Sequence, residues 1–186
     1  GLGLDIQLIA PDHGPLWRKD LNKIIDLYRD CAEQKPRAKA LVAYATMWNS
    51  TKACAEAFAD GVRSKGVEVE LADLNVCDRS DIMTKVSQAG IVALGAPTMN
   101  NQVFPLMADV VNYLKGLRIR NKLAFAFGSC GWSGEGAKQI AAAFEEMKLE
   151  QPIPMKQVKY MPSEEDLQEF FNNGAVLAEQ LIEKIK

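Results

Sequence analysis

The 186 residues are 48% hydrophobic and 25% charged, with 22 Lys and Arg against 24 Asp and Glu, for a formal net charge of −2 and a pI near 5.6. That composition supplies a real core for one ordinary domain plus an appendage, and no cationic surplus for nucleic acid or an anionic membrane. The longest apolar runs are strand-sized, far below the ~20 residues of a membrane helix, so neither nucleic acid nor membrane is an expected partner. No charged-then-apolar leader is read at the start of the sequence, and its opening on Gly1 rather than Met leads to the expectation of a processed chain or a piece of a longer one.

Residues 1–39 stand apart from the remainder of the chain. Leu8-Ile9-Ala10-Pro11-Asp12-His13-Gly14-Pro15-Leu16-Trp17 reads as a strand end followed by a turn fenced by proline and glycine. Leu21, Ile24, Ile25, Leu27 and Tyr28 then predict a helix over 19–34. Residues 35–39, polar and interrupted by Pro36, read as a linker.

From residue 40 onward, strand and helix signals alternate. A strand over 40–45 leads to a helix over 50–65, with Ala53, Ala57, Phe58 and Val62 at helical spacing and Gly66 closing it. A strand follows at 67–73, then a short helix started by Ser80 and Asp81 and running to Gln88. Strand 90–95 precedes a helix over 106–114, with Pro105 at its first turn and Gly116 at its end. A strand over 122–128, a helix over 135–147, a strand over 153–158 and a final helix capped by Ser163 complete the chain. The strands at 40, 90 and 122 are apolar on both faces, as in a parallel sheet covered by helices on each side. The expected architecture is a doubly wound, three-layer α/β/α sandwich, in which ligands sit beyond the carboxyl ends of the strands.

Three loops belong at that end. The first, Thr46-Met47-Trp48-Asn49-Ser50-Thr51, is a strand-to-helix turn rich in hydroxyls. Unpaired N–H groups and the positive end of a helix dipole suit an anion there, and phosphate is the natural guest. Ser50 or Thr51 as a plain N-cap is the competing reading; three hydroxyls beside Asn49 and an exposed-looking Trp48 favour a ligand loop. The second loop contains Pro97-Thr98-Met99-Asn100-Asn101, where Pro97 stiffens the strand exit and neutral donors and acceptors follow. The third, Gly128-Ser129-Cys130-Gly131-Trp132-Ser133-Gly134-Glu135-Gly136, has four glycines that let backbone approach a ligand closely. Together they describe a pocket for a flat, hydrogen-bonding ring with a phosphate tail, stacked by Trp48 and Trp132.

Rival chemistries fail on inspection. No G-x-x-x-x-G-K-[ST] occurs, because Gly136 is followed by Ala137 and only then Lys138, and no G-x-G-x-x-G follows the first strand of the alternation. A nucleoside triphosphatase and a Rossmann dehydrogenase are thereby disfavoured. Cys31, Cys54, Cys77 and Cys130 form no C-x-x-C pair and have one histidine for company, so they read as free thiols, mostly small core residues, in a reducing cytoplasm. Cys130 has no nearby histidine in sequence to activate it as a nucleophile.

The three loops, in this order and spacing, resemble those of flavodoxin-like FMN-binding domains, and among these the flavodoxin module of flavodiiron proteins. The resemblance covers residues 40–186 and implies a five-stranded parallel sheet of order 2-1-3-4-5. It also implies that Thr46 to Thr51 hold the FMN phosphate and that residues 97–101 and 129–134 line the isoalloxazine. Ala45 and Asn49 depart from the Asp and the small residue common at those positions. Ile9-Ala10-Pro11-Asp12-His13-Gly14-Pro15-Leu16-Trp17 looks like the tail of the metallo-β-lactamase-like domain that precedes the module in that family, with His13 at the place of the last iron ligand. A di-iron centre takes several His and carboxylate ligands, so His13 alone builds no site, and the resemblance implies a C-terminal portion of a longer enzyme.

In the complete family member, resemblance implies a head-to-tail homodimer. Electrons pass from a rubredoxin-like or flavin-reductase donor through FMN to a di-iron centre that reduces dioxygen or nitric oxide. The alternatives are a stand-alone flavodoxin-type shuttle, an NAD(P)H:quinone oxidoreductase, and a receiver-like domain that binds no flavin.

Overall fold

The computed structural model describes residues 4–186, which fall into two compact units divided between Lys35 and Pro36. In the first, Ile9 and Trp17 exchange backbone hydrogen bonds of 3.0 and 2.9 Å across the turn that carries His13 and Gly14. Helix α1 (Leu21–Glu33) follows, opened by Asp20 and closed by Gln34, both with left-handed backbone. None of its residues is buried, and Cys31 is exposed.

The second unit runs β1 (Lys39–Tyr44), α2 (Ser50–Arg63), β2 (Glu68–Asp73), α3 (Arg79–Gln88), β3 (Ile91–Met99), β4 (Gln102–Val103), α4 (Pro105–Leu117), β5 (Leu123–Cys130), α5 (Glu135–Glu146), β6 (Lys156–Lys159) and α6 (Glu164–Ile185). The sheet order is β2-β1-β3-β5-β6, all parallel, with β4 antiparallel to β3 off the main path. That is the expected doubly wound order with one short hairpin added.

Period-two alternation within each strand builds two cores from one sheet. Leu41, Ala43, Val92, Leu94, Ala124 and Ala126 face α3, α4 and α5, meeting Ile82, Val86, Met107, Leu114, Ile140 and Phe144. Val42, Tyr44, Ile91, Ala93, Phe125 and Phe127 face α2 and α6, meeting Phe58, Phe170, Leu177 and Leu181. Phe58 stacks on Phe125 with centroids 4.8 Å apart, and Phe170 meets both Phe125 and Phe127 edge-on. Helices α2 and α6 cross with their backbones in near contact at Gly61 and Gly174: a Cβ on Gly61 would stand 1.9 Å from the Phe171 carbonyl oxygen, and one on Gly174 2.1 Å from that of Phe58. This crossing leaves no room for a side chain between α2 and α6.

Several element limits differ from expectation for local reasons. The last strand begins at Lys156 rather than 153, because Pro152 and Pro154 have no N–H to offer the ladder. Helix α4 runs through Gly116 and ends at Arg118, which supplies the left-handed cap with φ 52°. Asp78 caps α3, accepting from Ser80 N at 2.7 Å. Strand β3 continues past Gly95 to Met99 and pairs with β4, so Pro97 lies within the strand; Asn100 and Asn101, at φ 50° and 57°, make the two-residue turn for which Asn is suited. The final helix carries the expected cap in reciprocal form: Ser163 Oγ accepts from Asp166 N and the Asp166 carboxylate accepts from Ser163 N, both at 3.1 Å. No helix among the described residues is long and apolar enough to cross a membrane.

Candidate functional site

The strand order reverses between β1 and β3, and the chain leaves the carboxyl ends of β1, β3, β5 and β6 on one side of the sheet. A cavity of about 250 Å³ opens there, lined by Met47, Trp48, Ser50, Pro97, Thr98, Ser129, Cys130, Gly131, Trp132 and Tyr160. All three loops singled out in the sequence therefore meet in one place. Trp48 and Trp132, 83% and 86% exposed, stand at its rim.

The first loop enters α2 without a side-chain cap. Asn49 is the N-cap, with φ 64° and no hydrogen bond from its side chain to the helix. Asn tolerates this left-handed backbone, which explains an amide where a smaller residue was expected. Ser50 and Thr51 are not caps; both are buried. Ser50 Oγ donates to Met161 Sδ at 3.1 Å, and Thr51 Oγ1 shares a hydrogen bond with Ser129 Oγ at 2.8 Å. The Thr46 hydroxyl is buried with no partner among the described residues. A buried orphan hydroxyl beside an uncapped helix start is a donor set for an anion. Among the described lining residues none is Lys or Arg, so helix dipole and hydroxyls carry the positive potential. Lys52, on the first turn, is engaged by Glu56 at 3.8 Å.

The β3–β4 hairpin is tied to the third loop and to α5. Thr98 Oγ1 accepts from Gly136 N at 3.0 Å, and Ser133 Oγ donates to Asn101 Oδ1 at 3.0 Å. Gln139 holds the outer strand, accepting from Val103 N at 3.0 Å and donating to Gln102 Oε1 at 2.9 Å. Met99, Asn100, Asn101, Ser133 and Gly134 thus frame the cavity without lining it. Thr51 lies behind its floor.

Sequence reasoning missed Tyr160, which lines the pocket from the segment after β6, Met161, which accepts the Ser50 hydroxyl, and Gln139, which braces the hairpin. The available signal for the first two was positional: a loop at the carboxyl end of the last strand faces the same crevice as its neighbours. Of the cysteines, Cys54 is fully buried, with burial pushing its thiol up to about 12; Cys77 and Cys130 are half-buried. The set expected to be mostly core is therefore only partly so.

His13 lies in the first unit and is exposed. Among the described residues no group of three or more His, Cys, Asp or Glu is arranged to hold a metal ion.

Fold and crevice together define a flavodoxin-like α/β domain. The flavodoxin family model matches residues 42–174, and the chain belongs to that family, whose domains bind FMN. The likeness to flavodiiron proteins extends over nearly the whole chain. The nitric oxide reductase of Moorella thermoacetica is 39% identical over 183 residues, covering 97% of this chain and 45% of that protein. The rubredoxin oxygen:oxidoreductase structure from Desulfovibrio gigas superposes with a TM-score of 0.93 at 36% identity, over 96% of this chain and 45% of that one. The flavodiiron protein of Giardia intestinalis gives 0.89 at 31%, over 97% and 45%. The chain thus spans about half the length of these relatives.

Proposed function

We propose that this chain is the FMN-carrying electron-transfer portion of an oxidoreductase that reduces dioxygen or nitric oxide. The observation that carries the reading is the buried Thr46 hydroxyl, with no partner among the described residues, beside the uncapped start of α2. An FMN phosphate supplies the acceptor that this arrangement lacks, and the ring then has the indole-rimmed cavity beside it. Thr46, Asn49 and Ser50 hold the phosphate end, with Thr51 behind them bonded to Ser129; Met47, Trp48, residues 97–101 and residues 129–134 bound the ring. Bound FMN supplies one- and two-electron redox chemistry, and the protein positions and tunes it. The two exposed indoles leave the ring edge accessible to a redox partner.

The names of the relatives support a rubredoxin-type donor and a di-iron acceptor; the rest extends the family resemblance. A rubredoxin-like protein or a flavin reductase delivers electrons, and a di-iron site receives them, in a head-to-tail homodimer. His13 contributes the last iron ligand from the tail of a metallo-β-lactamase-like domain over residues 1–39. It is the sole histidine of this sequence, and a di-iron site takes several, so the remaining ligands lie outside it.

The test is to denature the purified chain and identify released flavin by mass, with FMN expected. A colourless preparation that also refuses added FMN defeats the reading. Rapid reduction of the loaded chain through a rubredoxin, with slow reduction by NADH alone, supports the proposed donor; the reverse favours a quinone oxidoreductase. Ferrous iron added to this chain is expected to give no turnover of dioxygen or nitric oxide. A simple flavodoxin-type shuttle is the second reading, favoured because the family match falls within a unit that is compact by itself.

A further inference from the structure

Tyr160 follows β6 directly and has φ 62°. Left-handed backbone is disfavoured for any residue with a Cβ and rare for a bulky one. The other described non-glycine residues with positive φ are Asp, Asn, Gln, Lys or Arg; Tyr160 alone is aromatic. Its backbone is fixed by a 2.8 Å hydrogen bond from Tyr160 N to the Cys130 carbonyl oxygen, and the next residue, Met161, accepts the Ser50 hydroxyl. The ring gains little core contact in return, since Tyr160 is 65% exposed. Instead it lines the crevice beside Gly131, with its Cε1 3.7 Å from where a Cβ on that glycine would stand.

Apart from the Lys159 ammonium 5.4 Å from its ring centroid, the strained residue gains little packing, and such strain is held for another purpose. Trp48 and Trp132 supply two aromatic walls of the cavity, and Tyr160 lines it from a fourth loop. We propose that Tyr160 is a further flavin-contacting residue, its ring packing against the bound isoalloxazine. The proposal rests on the FMN reading above. The bond to Cys130 fixes the Tyr160 backbone where its ring lines the crevice beside Gly131.

The experiment measures the affinity of the 186-residue chain for FMN and for riboflavin by flavin fluorescence quenching, together with the melting temperature of the flavin-free chain, for wild type, Tyr160→Gly and Tyr160→Phe. Tyr160→Gly is expected to weaken both flavins by a similar factor of about tenfold, the scale of one aromatic contact. Because glycine accepts φ 62° freely, its melting temperature is expected at or above that of wild type. Tyr160→Phe keeps the ring and is expected to match wild type in both flavins. Three outcomes overturn the proposal: unchanged flavin affinity in Tyr160→Gly, a loss confined to FMN, or a lowered melting temperature that reveals plain packing. If wild type binds neither flavin, the FMN reading itself falls and this proposal with it; if wild type binds and Tyr160→Gly is unaltered, only this proposal falls.

Discussion

Thr51 Oγ1 and Ser129 Oγ stand 2.8 Å apart in a buried hydrogen bond that ties the first turn of α2 to the end of β5. The bond joins two of the three loops beneath the cavity floor, far apart in sequence. Thr51→Val would leave the Ser129 hydroxyl buried and unpaired, and is expected to lower the unfolding free energy by about 1–2 kcal/mol. Ser129→Ala is expected to cost a similar amount, and the double variant less than the sum, because the second change removes the group that the first stranded. Denaturant titration of the four proteins measures this directly, and additive losses would show that the two hydroxyls do not depend on each other.

Thr46 poses the opposite case, a buried hydroxyl with no partner among the described residues. Removing an unsatisfied polar group relieves its desolvation cost, so Thr46→Val is expected to stabilise the flavin-free chain by up to about 1 kcal/mol. The same change deletes a phosphate donor and is expected to weaken FMN by about tenfold. Riboflavin, which has no phosphate, is expected to bind Thr46→Val as it binds wild type. Equal losses for both flavins would move Thr46 away from the phosphate.

The parts of the fold that were legible in the sequence are those set by local pattern. Apolar runs at 40, 90 and 122 foretold the buried central strands, and Ser163 foretold the start of α6, where it and Asp166 cap the helix reciprocally. The three loops were legible because β-α alternation places strand-to-helix turns at one end of the sheet. The β3–β4 hairpin was missed although Asn100-Asn101, between Thr98-Met99 and Gln102-Val103, is a two-residue turn signal; Pro97 suggested that the strand had already ended. The close crossing of Gly61 and Gly174 and the hydrogen bonds of Gln139 depend on tertiary approach, which no local pattern encodes. Tyr160 fell outside the reading for a similar reason, since nothing in Lys159-Tyr160-Met161 asks for left-handed backbone.

The Gly61–Gly174 crossing seats the C-terminal half of α2 directly against α6. A Cβ at either glycine would meet backbone within about 2 Å, and backbone cannot rotate aside as a side-chain tip can. Gly61→Ala and Gly174→Ala are each expected to destabilise the chain by at least about 2 kcal/mol. Gly116, on the exposed face of α4 with open space around it, is the control: Gly116→Ala is expected to be neutral or slightly stabilising. Thermal or denaturant unfolding of the three variants separates these outcomes, and a neutral Gly174→Ala would show that the helices have room to part.

Lys122 supplies the pH dependence. It is 1% exposed at the entry to β5, with its ammonium 3.4 Å from the Ser87 carbonyl oxygen, and burial, with a smaller repulsion from Arg37, pushes its pKa down to about 8. The folded chain therefore gives up this proton before the unfolded chain does. Between about pH 8 and the ordinary lysine value of 10.5 the unfolded state holds more protons, and stability rises with pH. Cys54, raised by burial from 9 to about 12, acts in the other direction: above pH 9 the unfolded state loses its proton first, and stability falls. Tyr44, raised chiefly by burial, has the same sign further into the alkaline range. The Lys122 contribution is thus read between about pH 8 and 9. Lys122→Met removes the titrating ammonium while keeping a side chain of similar length. It is expected to lose the rise between pH 8 and 9, a slope difference of at most about 1.4 kcal/mol per pH unit. Denaturant unfolding of both proteins at pH 7, 8 and 9 decides the matter: parallel curves would assign the pH dependence to some other group.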